Sequence, residues 1–233
     1  SIELSADDGA EIAHAQAGQH LTVECGVGDD RFTRSWSLSA YEDVPAAYRL
    51  TVKRVPDGRG SGWVHDHLAI GDKLRLKPPA GRFVLNRGGF RRILFISAGI
   101  GVTPMVAMLR AHAARGEEAT PVLWIHVARD RAGHALSADV DELLSRNRNF
   151  ERLVFYSQPA PEDDGHYEKA GRLTADYLRE LLLASYRSAP FGREIELPGR
   201  ESEIYVCGPA AFEEMVRGVA TEVNSETDFV AKN

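Results

Sequence analysis

The stretch Ile93 to Met105, reading ILFISAGIGVTPM, constrains this chain more than any other. A short apolar run rich in β-branched and aromatic residues stops at Ser97-Ala98. The glycine-spaced turn Gly99-Ile100-Gly101 follows, and Val102-Thr103-Pro104 opens an apolar stretch at helical spacing. That order predicts a buried strand, a tight turn and a helix start. Glycines let the backbone turn sharply and approach a ligand. The first helical amides, at the positive end of the dipole, face an anionic group such as a diphosphate. Pro104 suits the first helical turn, where a missing N–H costs nothing. The turn alone leaves two readings open, a connection that any α/β domain needs and a phosphate site. The ambiguity arises because Pro104 stands where the dinucleotide fingerprint GxGxxG has its third glycine.

A length of 233 residues is enough for two modest domains, each with its own core. A net charge of -6 argues against nucleic acid as the main partner, because binding a phosphate backbone needs a basic face. Cys25 and Cys207 are too far apart in sequence for a metal spacing or a disulfide framework, which suits a reducing, cytoplasmic location. No apolar run reaches membrane-spanning length and no signal peptide opens the chain, so no membrane partner is expected. The abrupt start in a strand-like segment reads as a fragment of something longer.

Residues 1–89 are short alternating segments broken by turn signals: IELS, HLTVEC, WSLSA, YRLTVKRV, KLRLKPPAG and RFVL. Such alternation predicts an antiparallel barrel or sandwich with one short helix near Trp63 to Leu68. On one strand, Arg34 and Trp36 share a face while Ser35 and Ser37 share the other. A guanidinium fork suits phosphate oxygens and an indole stacks on a flat ring, although a half-exposed strand with a surface arginine explains the same hexamer. Gly58-Arg59-Gly60-Ser61-Gly62 ahead of the short helix is a second candidate anion site, or a flexible hairpin loop. His65, Asp66 and His67 read as structural, because neighbours on a helix point apart and a metal needs convergent ligands. No metal is expected.

Residues 90–221 alternate strand and helix: Ile93–Ser97, Pro104–Ala114, Val122–His126, Ser137–Leu144, Leu153–Tyr156, Ala175–Leu183, Ile204–Val206 and Ala210–Val219. Apolar runs without alternation between amphipathic helices predict a parallel sheet covered on both faces. Ligands on such sheets lie at the carboxyl ends of the strands, beside a topological switch point. Gly99-Ile100-Gly101, Ala128-Arg129-Asp130 and Cys207-Gly208-Pro209 all follow strands at that edge. Pro159 to Gly171 and Ser188 to Arg200 read as solvent-exposed loops.

Taken in order, RSWSLS, YRLTVKR, GRGSGWVHDHL, GDKLRLKPPAGRFVL, FISAGIGVTPM and YVCGPAAF, from about Gly18 to Phe212, resemble the ferredoxin–NADP reductase family of flavoproteins. The nearest likeness is to flavohaemoglobin reductase halves and to reductase modules joined to iron–sulfur or molybdenum-sulfurase-type domains. The resemblance implies a flavin-binding barrel followed by a nicotinamide-nucleotide domain, FAD as cofactor and NADH or NADPH as hydride donor. It implies that Arg34 holds flavin phosphate, that Trp36 stands where tyrosine is usual against the isoalloxazine, and that Ser37 bonds near flavin N5. Gly60, Ser61 and Gly62 would cradle the diphosphate, with His20, Ser35 and Lys53 also in the flavin set. Gly99, Ile100, Gly101, Val102, Thr103 and Pro104 match the coenzyme loop. Cys207, Gly208 and Pro209 match the turn beside the nicotinamide, so Ser37 and Cys207 are the two candidates nearest the reacting atoms. Arg129 would meet a 2′-phosphate, which Asp130 beside it would repel. The implied partner is an electron acceptor, an iron–sulfur or haem domain or protein. A flavohaemoglobin-type nitric oxide dioxygenase is one alternative, and a regulatory module without turnover is another.

Residues 222–233 depart from the family pattern. Where the family places a last strand with an acidic residue and an aromatic beside the flavin, this chain reads EVNSETDFVAKN, which resembles a segment of translation elongation factor Ts.

Overall fold

The computed structural model describes residues 1–7, 9–86, 92–116, 119–183 and 202–223, and the backbone of 228–231. Two compact units form, one comprising Ser1–Asn86 with Thr103–Ala111 and the other the remaining residues. The expected boundary at 89–90 and the whole Ser188–Arg200 loop lie outside the described residues, as do the side chains of the tail beyond Val223.

In the first unit, β1 (Ile2–Leu4) pairs antiparallel with β4 (Tyr48–Leu50), and β2 (His20–Cys25) pairs antiparallel with β3 (Phe32–Ser37). Bridges from Leu38 to Leu50, Val23 to Leu76 and His20 to Ala80 join these ribbons into one antiparallel array. Along β2 every second residue, Leu21, Val23 and Cys25, is buried, as the period-2 alternation predicts. These three pack with Ala15, Leu38, Tyr48 and Leu50 to make the core of the unit. Among the described residues of 1–86, the one α-helix is α1 (Arg59–His67). It starts four residues before the expected Trp63, so the glycines expected in a loop ahead of the helix lie inside its first turn.

The second unit holds a six-stranded sheet in the order β10-β9-β5-β6-β7-β8, every neighbouring pair parallel. Its strands are β5 (Arg92–Ala98), β6 (Val122–Ala128), β7 (Phe150–Tyr156), β8 (Lys169–Ala170), β9 (Ser202–Cys207) and β10 (Asp228–Ala231). The helices of the second half are α2 (Val102–Ala113), α3 (Ser137–Arg146), α4 (Ala175–Leu183) and α5 (Ala210–Val223). On one face of the sheet Leu94, Ile96, Ile125, Phe155, Ile204 and Val206 pack with Leu178 and Leu181 of α4 and Val216 and Val219 of α5. Alternate residues of the same strands carry an aromatic set, Phe95 lying 5.4 Å from Tyr205 and 6.0 Å from Trp124. Nearer the carboxyl ends that set gives way to the buried polar residues Ser97 and His126.

Two expectations are corrected. Pro159 to Gly171 is not a plain exposed loop. Its Asp163 is only 4% exposed, accepting the amides of Ala160 and Arg131, and its Lys169–Ala170 becomes β8. Polar side chains hide a two-residue edge strand from any hydrophobic pattern. The atypical tail supplies a last strand as well, with Asp228–Ala231 beside Glu203–Val206.

Candidate functional site

In the first unit the candidate residues gather at the start of α1. Gly58 precedes the helix, and Gly62 N–H makes the first i to i−4 bond, to Gly58 O at 2.7 Å. Helix geometry therefore leaves the amides of Arg59, Gly60 and Ser61 ahead of that bond, turned out of the helix end. A Cβ on Gly60 would stand 2.6 Å from Cγ of Arg34, so the residue must be glycine for the arginine stem to lie across the helix start. Gly60 thus brings the stem of Arg34 from β3 across the helix start. Arg59, to which the sequence reading assigns no role of its own, is ion-paired with Asp30, and its guanidinium lies 4.1 Å from the Phe32 ring centre, with that of Arg34 at 5.1 Å on the same ring. The signal available was an arginine inside a glycine-rich helix start. The Ser61 hydroxyl is turned inward, accepting Val55 N–H at 3.1 Å and donating to Gly58 O at 3.3 Å, which fixes the entry of the helix.

Around this cradle, Ser37 is buried and stands opposite His20 in the β2–β3 register. Trp36 is half-buried against the unit's core, and the His20 ring packs over Gly81. Ser35 shares a 2.9 Å hydroxyl bond with Thr22 across the strands, and Lys53 is exposed. His65, Asp66 and His67 take three different partners. His65 Nε2 meets Val52 O at 2.9 Å, Arg54 grips Asp66 bidentately at 2.6 and 2.9 Å, and His67 stacks on Trp63. That guanidinium holds the Asp66 carboxyl below the usual carboxylate range. No group of three candidate metal ligands occurs among the described residues.

In the second unit the sheet order itself marks the site. From β5 the chain moves to β6, β7 and β8 on one side and returns to β9 on the other, so the switch point lies between β5 and β9. The turn after β5 is a 3-10 turn, Gly99–Gly101, leading into α2 with Val102, Thr103 and Pro104 as its first three residues. The turn after β9 is Cys207-Gly208-Pro209, leading into α5. They touch: a Cβ on Gly101 would lie 2.2 Å from Cys207 O and 2.9 Å from Gly208 N. Only glycine allows the two turns to close together at the crevice. Gly208 N–H donates to the Glu213 carboxylate at 2.9 Å, which fixes the second turn on its helix. Cys207 is buried at 8% exposure, with a register partner, Ser97, in β5.

Arg129 and Asp130 follow β6, next to β5. Asp130, expected to repel a 2′-phosphate, has its carboxylate paired with its neighbour, accepting Arg129 Nε at 2.8 Å and Gly133 N–H at 2.7 Å. The structure also brings together a group that the sequence reading missed, Ser97, His126, His134 and Tyr156. It hides inside the apolar run VLWIHVA and a loop eight residues on.

Residues 95–218 match the oxidoreductase NAD-binding domain and residues 3–85 the oxidoreductase FAD-binding domain. A flavohemoprotein of Deinococcus radiodurans is 35% identical over 96% of this chain and 52% of its own length. The chain spans about half the length of the curated relatives it matches. Among solved structures, the flavohem-like FAD/NAD-binding domain of nitric oxide dioxygenase from Vibrio cholerae superposes with a TM-score of 0.78 at 24% identity, covering 99% of this chain and 90% of that one. Phthalate dioxygenase reductase, a modular protein for electron transfer from pyridine nucleotides to [2Fe-2S], gives 0.71 at 22%, over 98% and 62%. Both share the fold. With the FAD-binding model on residues 3–85 and the NAD-binding model on residues 95–218, this chain belongs to the FAD- and NAD-binding oxidoreductases of the ferredoxin–NADP reductase family.

Proposed function

We propose that the chain takes hydride from NADH or NADPH and passes the electrons through FAD to a haem or iron–sulfur acceptor. When bound, FAD supplies the redox chemistry, taking hydride at N5 and releasing electrons to the acceptor. The residues of this chain bind and orient. Arg34, Arg59 and the amides of Arg59, Gly60 and Ser61 hold the FAD diphosphate, two charges and a helix start acting on one anion. Ser37, buried at the end of β3, offers a hydroxyl to flavin N5, with Trp36 and His20 on neighbouring positions for the ring. At the switch point of the parallel sheet, Gly99 to Pro104 take the coenzyme diphosphate and Cys207 to Pro209 border the nicotinamide. No acid–base dyad enters, because hydride transfer between two positioned rings needs alignment above all.

The observation that supports this reading is that the Gly99–Gly101 turn and the Cys207–Pro209 turn close on each other at the switch point between β5 and β9, the place where open parallel sheets take dinucleotides. The test is anaerobic: protein loaded with FAD should bleach on addition of NADH or NADPH. A preparation that takes up no FAD, or holds it without bleaching, would refute the proposal.

The half-length match to flavohemoproteins favours a haem acceptor. A globin domain supplied in trans should then be reduced faster than a [2Fe-2S] ferredoxin, and the reverse order would assign the chain to the iron–sulfur group.

A further inference from the structure

Four buried side chains tie the carboxyl edge of the sheet together. Ser97, two residues before the glycine turn, shares a 2.9 Å hydrogen bond with Nδ1 of His126, its register partner on β6. His126 is fully buried and its ring stacks on that of His134, with centroids 4.5 Å apart and planes 21° from parallel. His134 comes from the loop between β6 and α3, and its Nδ1 meets the hydroxyl of Tyr156, the last residue of β7, at 3.0 Å. A row across β9, β5 and β6 thus runs Cys207, Ser97, His126, with His134 and Tyr156 built onto its end. Among the described residues neither Nε2 has a hydrogen-bond partner. Two polar rings have been buried at a cost that packing alone would avoid by using phenylalanine.

What the pair holds is the 129–136 loop. Two residues beyond His134, Leu136 sits in the left-handed region at φ 60°, a strained conformation for leucine that persists only where its surroundings enforce it. Arg129 and Asp130, at the start of the loop, follow the strand next to the one that carries the glycine turn. In open α/β sheets residues at that position meet the ribose end of a dinucleotide.

We propose that His134 is a positioning residue for the coenzyme. Stacked on His126 and bonded to Tyr156, it pins the loop so that Arg129 and Asp130 engage the adenosine half. The inference rests on the coenzyme reading given above. It is tested with His134→Phe, which keeps a ring, and with Tyr156→Phe, which removes one hydroxyl and threatens folding least. For His134→Phe the KM for the dinucleotide should rise about tenfold, and for Tyr156→Phe about threefold, with kcat within about twofold and flavin content unchanged. Reduced nicotinamide mononucleotide, which lacks the adenosine half, should be oxidised with the same kcat/KM by variant and parent. Amide exchange should quicken across 129–136 and stay slow across 122–128. Equal losses with both donors, an unchanged dinucleotide KM, or unchanged exchange in the loop would overturn the proposal. If the parent oxidises neither donor, the functional reading has failed, and loop exchange in the two variants still decides whether the latch exists.

Discussion

The two candidate phosphate cradles share a backbone device and differ in everything around it. At the start of α1 the amides are flanked by solvent-exposed charge: Arg34 lies on an exposed stretch of β3, and the half-exposed Arg59 is paired with Asp30. At the switch point between β5 and β9 the Gly99–Pro104 turn carries no charged side chain, and the polar groups behind it are buried imidazoles and hydroxyls. The contrast suits a cofactor that stays and a coenzyme that leaves after each turnover. Cations add affinity, whereas a neutral, tightly packed turn adds shape without slowing release. It also means that different conditions stress the two sites, since salt screens exposed charge and acid protonates imidazole.

The largest effect expected is at the neutral site. In Gly101→Val the added Cβ falls 2.2 Å from Cys207 O, a backbone atom that cannot rotate away, so one turn must move. Flavin reduction by NADH or NADPH should fall by about three orders of magnitude, the cost of losing coenzyme alignment. FAD content and chemical reduction by dithionite should not change. Parallel loss of FAD in this variant would break the comparison.

Acid gives the next effect. Burial first, with Arg152 and His166 adding repulsion and Asp141 working against them, holds His134 down to about 4, and burial with the neighbouring His134 holds His126 well below its usual range. The sign follows from the neutral folded state. Above the unfolded value near 6.5 neither state binds a proton, but between 6.5 and about 4 the unfolded chain is protonated and the folded one is not. Stability is therefore full above pH 6.5 and is lost progressively down to pH 4, by on the order of 3 kcal/mol for His134. Denaturant unfolding at a series of pH values checks this. Carboxylates titrate over part of the same range, so the diagnostic is the smaller loss in His134→Phe.

How much of this was visible in the sequence depended on how each feature is encoded. The buried strands β5, β6, β7 and β9 were legible because unbroken apolar runs have few other uses, and α4 was expected at Ala175–Leu183 and found there. Helix α1 starts earlier than expected because Gly60 and Gly62 read as loop, while the arginine lying across Gly60 gives a reason for that glycine inside a helix. Edge strands β8 and β10 escaped because two and four residues carry no period. The glycine turns announced themselves as motifs. The His126–His134 stack did not, since a histidine inside an apolar run reads as one more core residue until a loop folds a second ring against it.

The smallest effects probe the charged cradle from its two ends. Arg34→Ala removes one charge-assisted contact, worth about 2 kcal/mol, so FAD should bind about thirtyfold more weakly. The deficit should shrink as salt rises, because an exposed guanidinium is screened. Ser37→Ala removes a buried hydroxyl away from the phosphate, so FAD should be retained while reduction by NADH slows about fivefold, roughly 1 kcal/mol of orientation. Equilibrium dialysis measures the first and stopped-flow bleaching the second. Equal loss of flavin in both variants would mean that phosphate and ring are not held by separate residues, and Arg34 and Ser37 would then act as one binding surface. Flavin retention in Ser37→Ala with an unchanged reduction rate would leave the hydroxyl as a packing group and move the alignment of flavin N5 onto Trp36 and the backbone around it.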